Sequence, residues 1–158
     1  MKLVKIFAIF LGLNLFITSS AGIAQPIEIK KSEQGIEYVT GGISVDEIDL
    51  MNNYINSFSL RLLFSEGACG RFITDVNVSI YDNQHSLVFK LNNAQPQLFV
   101  NLPKGSYSVV GNYNGDEQSH KFMLKENEHK KVVLNWKNCV EEDAIENGEV
   151  ENNGENKQ

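Results

Sequence analysis

Between residues 58 and 136 apolar side chains recur in short runs with a two-residue period. Phe58, Leu60, Leu62 and Phe64 alternate with Ser59, Arg61 and Leu63. Val76, Val78 and Ile80 alternate with Asp75, Asn77 and Ser79, and Leu87, Phe89 and Leu91 repeat the rhythm. Leu98, Val100 and Leu102 share one face before Pro103, and Tyr107 and Val109 share one after Gly105, so 98–109 reads as strand, tight turn, strand. A period of two is what a half-buried antiparallel strand requires. The pattern predicts seven strands, at 58–64, 72–81, 86–91, 98–102, 106–113, 118–124 and 130–136. Asn114-Gly115 is the clearest hairpin turn, because both residues tolerate positive φ.

Upstream the period changes. Gly41-Gly42 ends a short strand predicted at 35–39. Ser44 is placed to cap a helix, with Glu47 three residues on as in a capping box. Val45, Ile48, Met51 or Asn52, and Ile55 follow at helical spacing, predicting a helix over 45–56 packed on the sheet or across its end. Residues 25–34 are mixed and polar and predict a flexible arm. Together these elements predict a mainly β chain: a seven-stranded antiparallel β-sandwich with one short N-terminal helix, a closed barrel being the alternative.

The ends of the 158-residue chain differ from its middle. Lys2 and Lys5 precede an almost unbroken apolar run over 6–17, and small residues follow. This is the build of a cleaved export signal over 1–24, cut after Ala24 or after Ala21. A membrane anchor is the competing reading, but the run is shorter than the roughly 20 residues a spanning helix needs, and Asn14 interrupts it. No cysteine stands near the cut to take a lipid. At the other end, 141–158 holds seven acids against Lys157 and little to bury, which predicts a disordered tail. The net charge of −6 therefore belongs mostly to the tail. No basic stripe points to nucleic acid. The domain plan is signal (1–24), arm and short helix (25–56), β-sandwich (57–140) and acidic tail (141–158).

Cys69 and Cys139 are the only cysteines. In an exported chain such a pair predicts a disulfide, here tying the last strand to an early loop; two free thiols are the alternative. No C-x-x-C motif or neighbouring histidine points to redox or metal chemistry.

Three stretches resemble a known family: Val76-Asn77-Val78-Ser79-Ile80-Tyr81-Asp82, then Leu98-Phe99-Val100-Asn101-Leu102-Pro103-Lys104-Gly105-Ser106-Tyr107-Ser108-Val109, then Val132-Val133-Leu134-Asn135-Trp136. A strand ending in Asp, an L-P-x-G-x-Y-x-V hairpin and a closing apolar strand resemble the carboxypeptidase-regulatory-like, transthyretin-like β-sandwich. Tyr38-Val39-Thr40-Gly41-Gly42-Ile43 with Glu47 resembles the start of small exported bacterial proteins that carry this module alone. The resemblance implies an accessory domain that stabilises, spaces or binds. The family's zinc-binding catalytic unit has no counterpart here, so the resemblance implies no catalytic residue.

The search for chemistry leaves few candidates. His85, His120 and His129 form no metal-ligand spacing. Asp46, Glu47 and Asp49 lie where first-turn acids complement a helix dipole. The segments 82–85 and 112–117 are oxygen-rich but lack a calcium-loop pattern. No nucleophile elbow or phosphate loop occurs. Tyr107, Tyr113 and Trp136 are the candidate aromatic binding residues, with core or rim packing as the alternative. The expected protein is a non-enzymatic, periplasmic or secreted module. It would need no cofactor, bind no nucleic acid, leave the membrane after signal cleavage and contact another envelope protein. Binding of a carbohydrate or small ligand is the first alternative, and a hydrolase assembled from distant residues the second.

Overall fold

The computed structural model describes residues 27–137. The expected signal over 1–24, the acidic tail over 141–158 and Cys139 lie outside the described residues. In chain order the elements are β1 (Lys30–Lys31), β2 (Glu37–Gly41), α1 (Val45–Asn52), β3 (Leu60–Glu66), β4 (Arg71–Phe72), β5 (Val76–Asp82), β6 (Leu87–Ala94), β7 (Gln97–Val100), β8 (Gly105–Tyr113), β9 (Asp116–Leu124) and β10 (Lys130–Trp136). The chain is mainly β and forms two sheets. One has the order β1-β2-β7-β3-β10, with β4 also paired to β3; the other has the order β6-β5-β8-β9.

One buried cluster draws on both sheets. Leu60, Leu62 and Phe64 of β3, Leu98 and Val100 of β7, and Val132, Leu134 and Trp136 of β10 supply one side. Val76, Val78 and Ile80 of β5, Phe89 of β6, Tyr107 and Val109 of β8, and Phe122 and Leu124 of β9 supply the other. These are the inward positions of the two-residue rhythm, so burial follows the alternation.

Several expectations are corrected. The described residues hold ten strands: beyond the expected seven there are β2, the short strand expected at 35–39, a second piece from the splitting of 72–81, and a polar residue pair of the arm that joins the sheet. Asp75 adopts φ 63°, which breaks the extended backbone. The residues before it stay with β3 as β4, and those after it cross to the second sheet as β5. In the arm, Lys30 and Lys31 pair with Tyr38 and Glu37, and β2 in turn pairs with β7. The arm-and-helix segment thus contributes strands to the first sheet.

The stretch 98–109 is not a hairpin. β7 lies in the first sheet and β8 in the second. Pro103 has no N–H to continue a ladder. Ser59 takes over where β7 stops, its Oγ accepting from Leu102 N at 2.8 Å and lying 2.7 Å from Leu102 O. Tyr107 closes the corner by donating its hydroxyl to Pro103 O at 2.9 Å, four residues upstream. Nor is the fold wholly antiparallel. β10 runs parallel to β3, from Leu60 opposite Lys130 to Glu66 opposite Trp136. A parallel pair needs a long connection, and six strands supply it here.

The helix also ends earlier than expected. Ser44 Oγ accepts from Glu47 N at 3.2 Å, and the Glu47 carboxylate reaches back to Ile43 N at 2.9 Å. Ser44 thus caps the helix as the spacing implies, while the return bond of Glu47 goes to Ile43 N, one residue before the cap, where a capping box would use Ser44 N. After Asn52 the turn tightens, with Asn53 N bonding Leu50 O and Tyr54 N bonding Met51 O. Asn52 and Asn53 compete with their own backbone and favour this exit. Met51 packs with Val39, Phe58 and Phe99 in a second, smaller cluster, while Val45 at the first turn is exposed. α1 therefore covers the outer face of β2 and β7. All four β7 residues are buried: Leu98 and Val100 in the main core, Phe99 beneath the helix, and Gln97 against Gly42.

Candidate functional site

The three aromatic candidates point into the space between the sheets and form no exposed binding face. Trp136 is 1% exposed, its Nε1 donates to Asp116 O at 3.0 Å, and its ring meets that of Tyr113 edge-on at 5.9 Å. Gly111 lies beneath it: a Cβ there would come within 2.8 Å of Leu134 and 3.0 Å of the indole, so the close approach requires glycine. Tyr107 sits near the other end of β8, its ring 5.7 Å from Phe122. Tyr54 is half-buried against the smaller cluster. Aromatic residues at inward positions pack the interior here.

Burial pushes the Tyr107 phenol above its ordinary value, and the Asp82 carboxylate adds to the rise. A phenol whose pKa is raised by folding contributes stability below the ordinary value of about 10, and that contribution is lost as pH rises through the folded value. Thermal melts from pH 8 to pH 12 are expected to show an alkaline fall in stability that Tyr107→Phe reduces. At neutral pH the same variant loses the bond to Pro103 O and about 1 kcal/mol. An unchanged alkaline limb in the variant would assign the fall to other groups.

Three hollows hold the other polar candidates. Asp82, His85, Ser106, Ser108, Lys121 and Met123 line an open one of about 410 Å³. Asp82 is committed to its turn, with Oδ1 accepting from Gln84 N and Ser86 N at 2.8 and 2.9 Å. A second, of about 330 Å³, lies between the β7–β8 corner and the β9–β10 turn. There Lys104 pairs with Glu126 at 2.9 Å and His129 Nδ1 lies 2.9 Å from Phe58 O. The Lys125 N–H, and then the Lys130 ammonium, hold Glu128 below the usual carboxylate range. A third, open hollow beside α1 is lined by Asp46, Asp49, Leu50 and Asn53. The three histidines stay apart, in the β5–β6 turn, on β9 and in the β9–β10 turn. Among the described residues no three His, Cys, Asp or Glu side chains gather to hold a metal ion.

The outward face of β3 and β10 is different in kind. Because Leu60, Leu62, Val132 and Leu134 point into the core, Arg61, Leu63, Lys131 and Val133 point out. The register sets Arg61 beside Lys131 and Leu63 beside Val133. Phe72 of β4 stands opposite Ser65, one outward position beyond Leu63. Val133 and Phe72 are each 49% exposed, and Leu63 is half-buried. The helix covers the neighbouring strands and stops short of these. Neither the Arg61 nor the Lys131 side chain has an ion-pair or hydrogen-bond partner among the described residues. Like charges side by side on adjacent strands repel. The clue in the sequence was an apolar residue at outward positions of two strands, Leu63 and Val133, each two places from a cation. Only the pairing brings them together.

At the far end of the same strands, Glu66 is buried and ion-paired with Arg71. Asn135 Nδ2 donates to Ser65 Oγ at 2.9 Å. Cys69 is exposed in the turn between them.

No family model and no curated protein matches the chain. Among solved structures, the Bacillus anthracis TIE protein is similar over 49% of this chain, with 23% identity and a TM-score of 0.37. The match spans 16% of that protein's chain.

Proposed function

We propose that this chain is an exported β-sandwich module of the carboxypeptidase-regulatory-like kind, without catalysis of its own, that binds another envelope protein through the outward face of β3 and β10. Two sheets sharing one buried cluster support the sandwich reading. The residues that carry the family resemblance occupy β5, the β7–β8 corner and β10. The periplasmic or secreted location rests on the export-signal composition of 1–24. The observation that carries the binding reading is the uncovered row of Leu63, Val133 and Phe72 beside Arg61 and Lys131. Phe72 and Arg61 are of residue types enriched in protein-binding patches, and they lie beside exposed apolar surface.

A photoreactive phenylalanine at position 133, expressed in the native envelope, is expected to give a discrete protein adduct. The same group at Lys90, an exposed position on β6 of the other sheet, is expected to give none. Equal labelling from both positions, or no adduct from 133, would remove this face from the reading.

A further inference from the structure

We infer that the acidic segment following β10 docks on the outward face of β3 and β10, with its acids over Arg61 and Lys131 and its apolar residues over Leu63, Val133 and Phe72. This rests on reading that face as a docking surface, and it names an occupant from within the chain. Three observations support it.

The first is charge. Arg61 and Lys131 are adjacent cations without side-chain partners among the described residues. Residues 141–146 are Glu-Glu-Asp-Ala-Ile-Glu, four acids in six positions. An anion between the two cations relieves their repulsion. The second is apolar content. Val140 directly precedes those acids, and Ala144 and Ile145 stand among them. The third is reach. Lys137 directly follows β10, and Lys131 lies six residues back along that strand, about 20 Å away at strand rise. Glu146 lies nine residues beyond Lys137, enough for about 30 Å of extended chain. With Cys139 held at the end of β10 by a bridge to Cys69, the seven residues on to Glu146 give about 24 Å of extended chain, just enough to bring Glu146 back to Lys131. Tethering gives it an effective concentration on the order of millimolar, so even a weak contact is populated. A protein partner at this face would then have to displace the segment, and its own contact surface would be acidic and apolar.

Zero-length carbodiimide coupling of the full mature chain at low ionic strength, mapped by mass spectrometry, tests this. Lys131 is expected to couple to carboxylates of 141–146 at least fivefold more than Lys90 or Lys121 does; both of these lie on exposed positions of the other sheet. Raising salt to about 0.5 M, where charges are screened within a few ångströms, should lower the Lys131 products. Arg61→Glu should lower them at least fivefold and leave coupling at Lys90 unchanged. The salt arm uses the unaltered chain, so the test survives a variant that fails to fold. Equal coupling at all three lysines overturns the inference. So does coupling found only between chains, read from mixtures of light and heavy isotope-labelled protein. An adduct at position 133 without Lys131 coupling would leave the binding reading standing and remove only the internal occupant.

Discussion

Trp136→Ala is expected to lower the unfolding free energy by about 3–5 kcal/mol. The indole is 1% exposed and is the largest fully buried side chain. Removing it leaves a cavity that Gly111 cannot fill and that Tyr113, fixed edge-on at 5.9 Å, fills only by moving. It also strips Asp116 O of the 3.0 Å bond from the indole N–H. Trp136→Phe keeps most of the volume and is expected to cost clearly less. Urea unfolding followed by far-ultraviolet circular dichroism measures both, since Trp136 is the only tryptophan and its fluorescence disappears with it. A loss below about 1 kcal/mol for the alanine variant would mean that the β8–β10 packing does not hold the two sheets together at this end.

The second large effect concerns the cysteines. Purified from an oxidising compartment, the protein is expected to carry a Cys69–Cys139 disulfide and to lose roughly 4 kcal/mol when it is removed. Cys139 is outside the described residues, but the register leading toward it is not. Glu66 lies opposite Trp136, and Gly67 N continues the pairing by donating to Trp136 O at 2.7 Å. Cys69 follows Glu66 by three residues and Cys139 follows Trp136 by three. The two chains leave parallel strands at the same level, which favours a bridge. Thiol titration of denatured protein should find no free thiol until reductant is added. Cys69→Ser and Cys139→Ser should lower the urea midpoint equally, and the double variant no further. Two titratable thiols in the native product, or a midpoint insensitive to reductant, would refute the bridge.

Local features were legible because their physics is local. Asn114 and Gly115 adopt φ 51° and 89° in the β8–β9 turn, as the dipeptide requires. Ser44 and Glu47 cap α1. β10 occupies Lys130–Trp136, the limits its alternation suggested. The inward residues Leu60, Leu62, Val76, Val78, Ile80, Tyr107 and Val109 are buried.

What alternation cannot say is which strand lies beside which. Leu98 to Val109 carries the rhythm of a hairpin, yet the chain uses Pro103 to change sheets. Phe99 sits at an outward position and is fully buried, because a helix from another part of the chain covers it. Tyr107, Tyr113 and Trp136 could have been read as surface or as interior until burial decided. The same holds for the candidate face: Arg61 and Lys131 are seventy positions apart in sequence and neighbours in the sheet.

The amino-acid order alone settled the mainly β character, the capped helix, the tight turn at Asn114-Gly115 and the inward side of most strands. Each depends on backbone preference and on burying every second side chain. Only the tertiary structure decided the parallel union of β3 with β10, the corner at Pro103, the helix cover over Phe99 and the row of Leu63, Val133 and Phe72 beside Arg61 and Lys131. Those depend on long-range pairing, where the free energy comes from contacts between distant segments and no short window of sequence contains both partners.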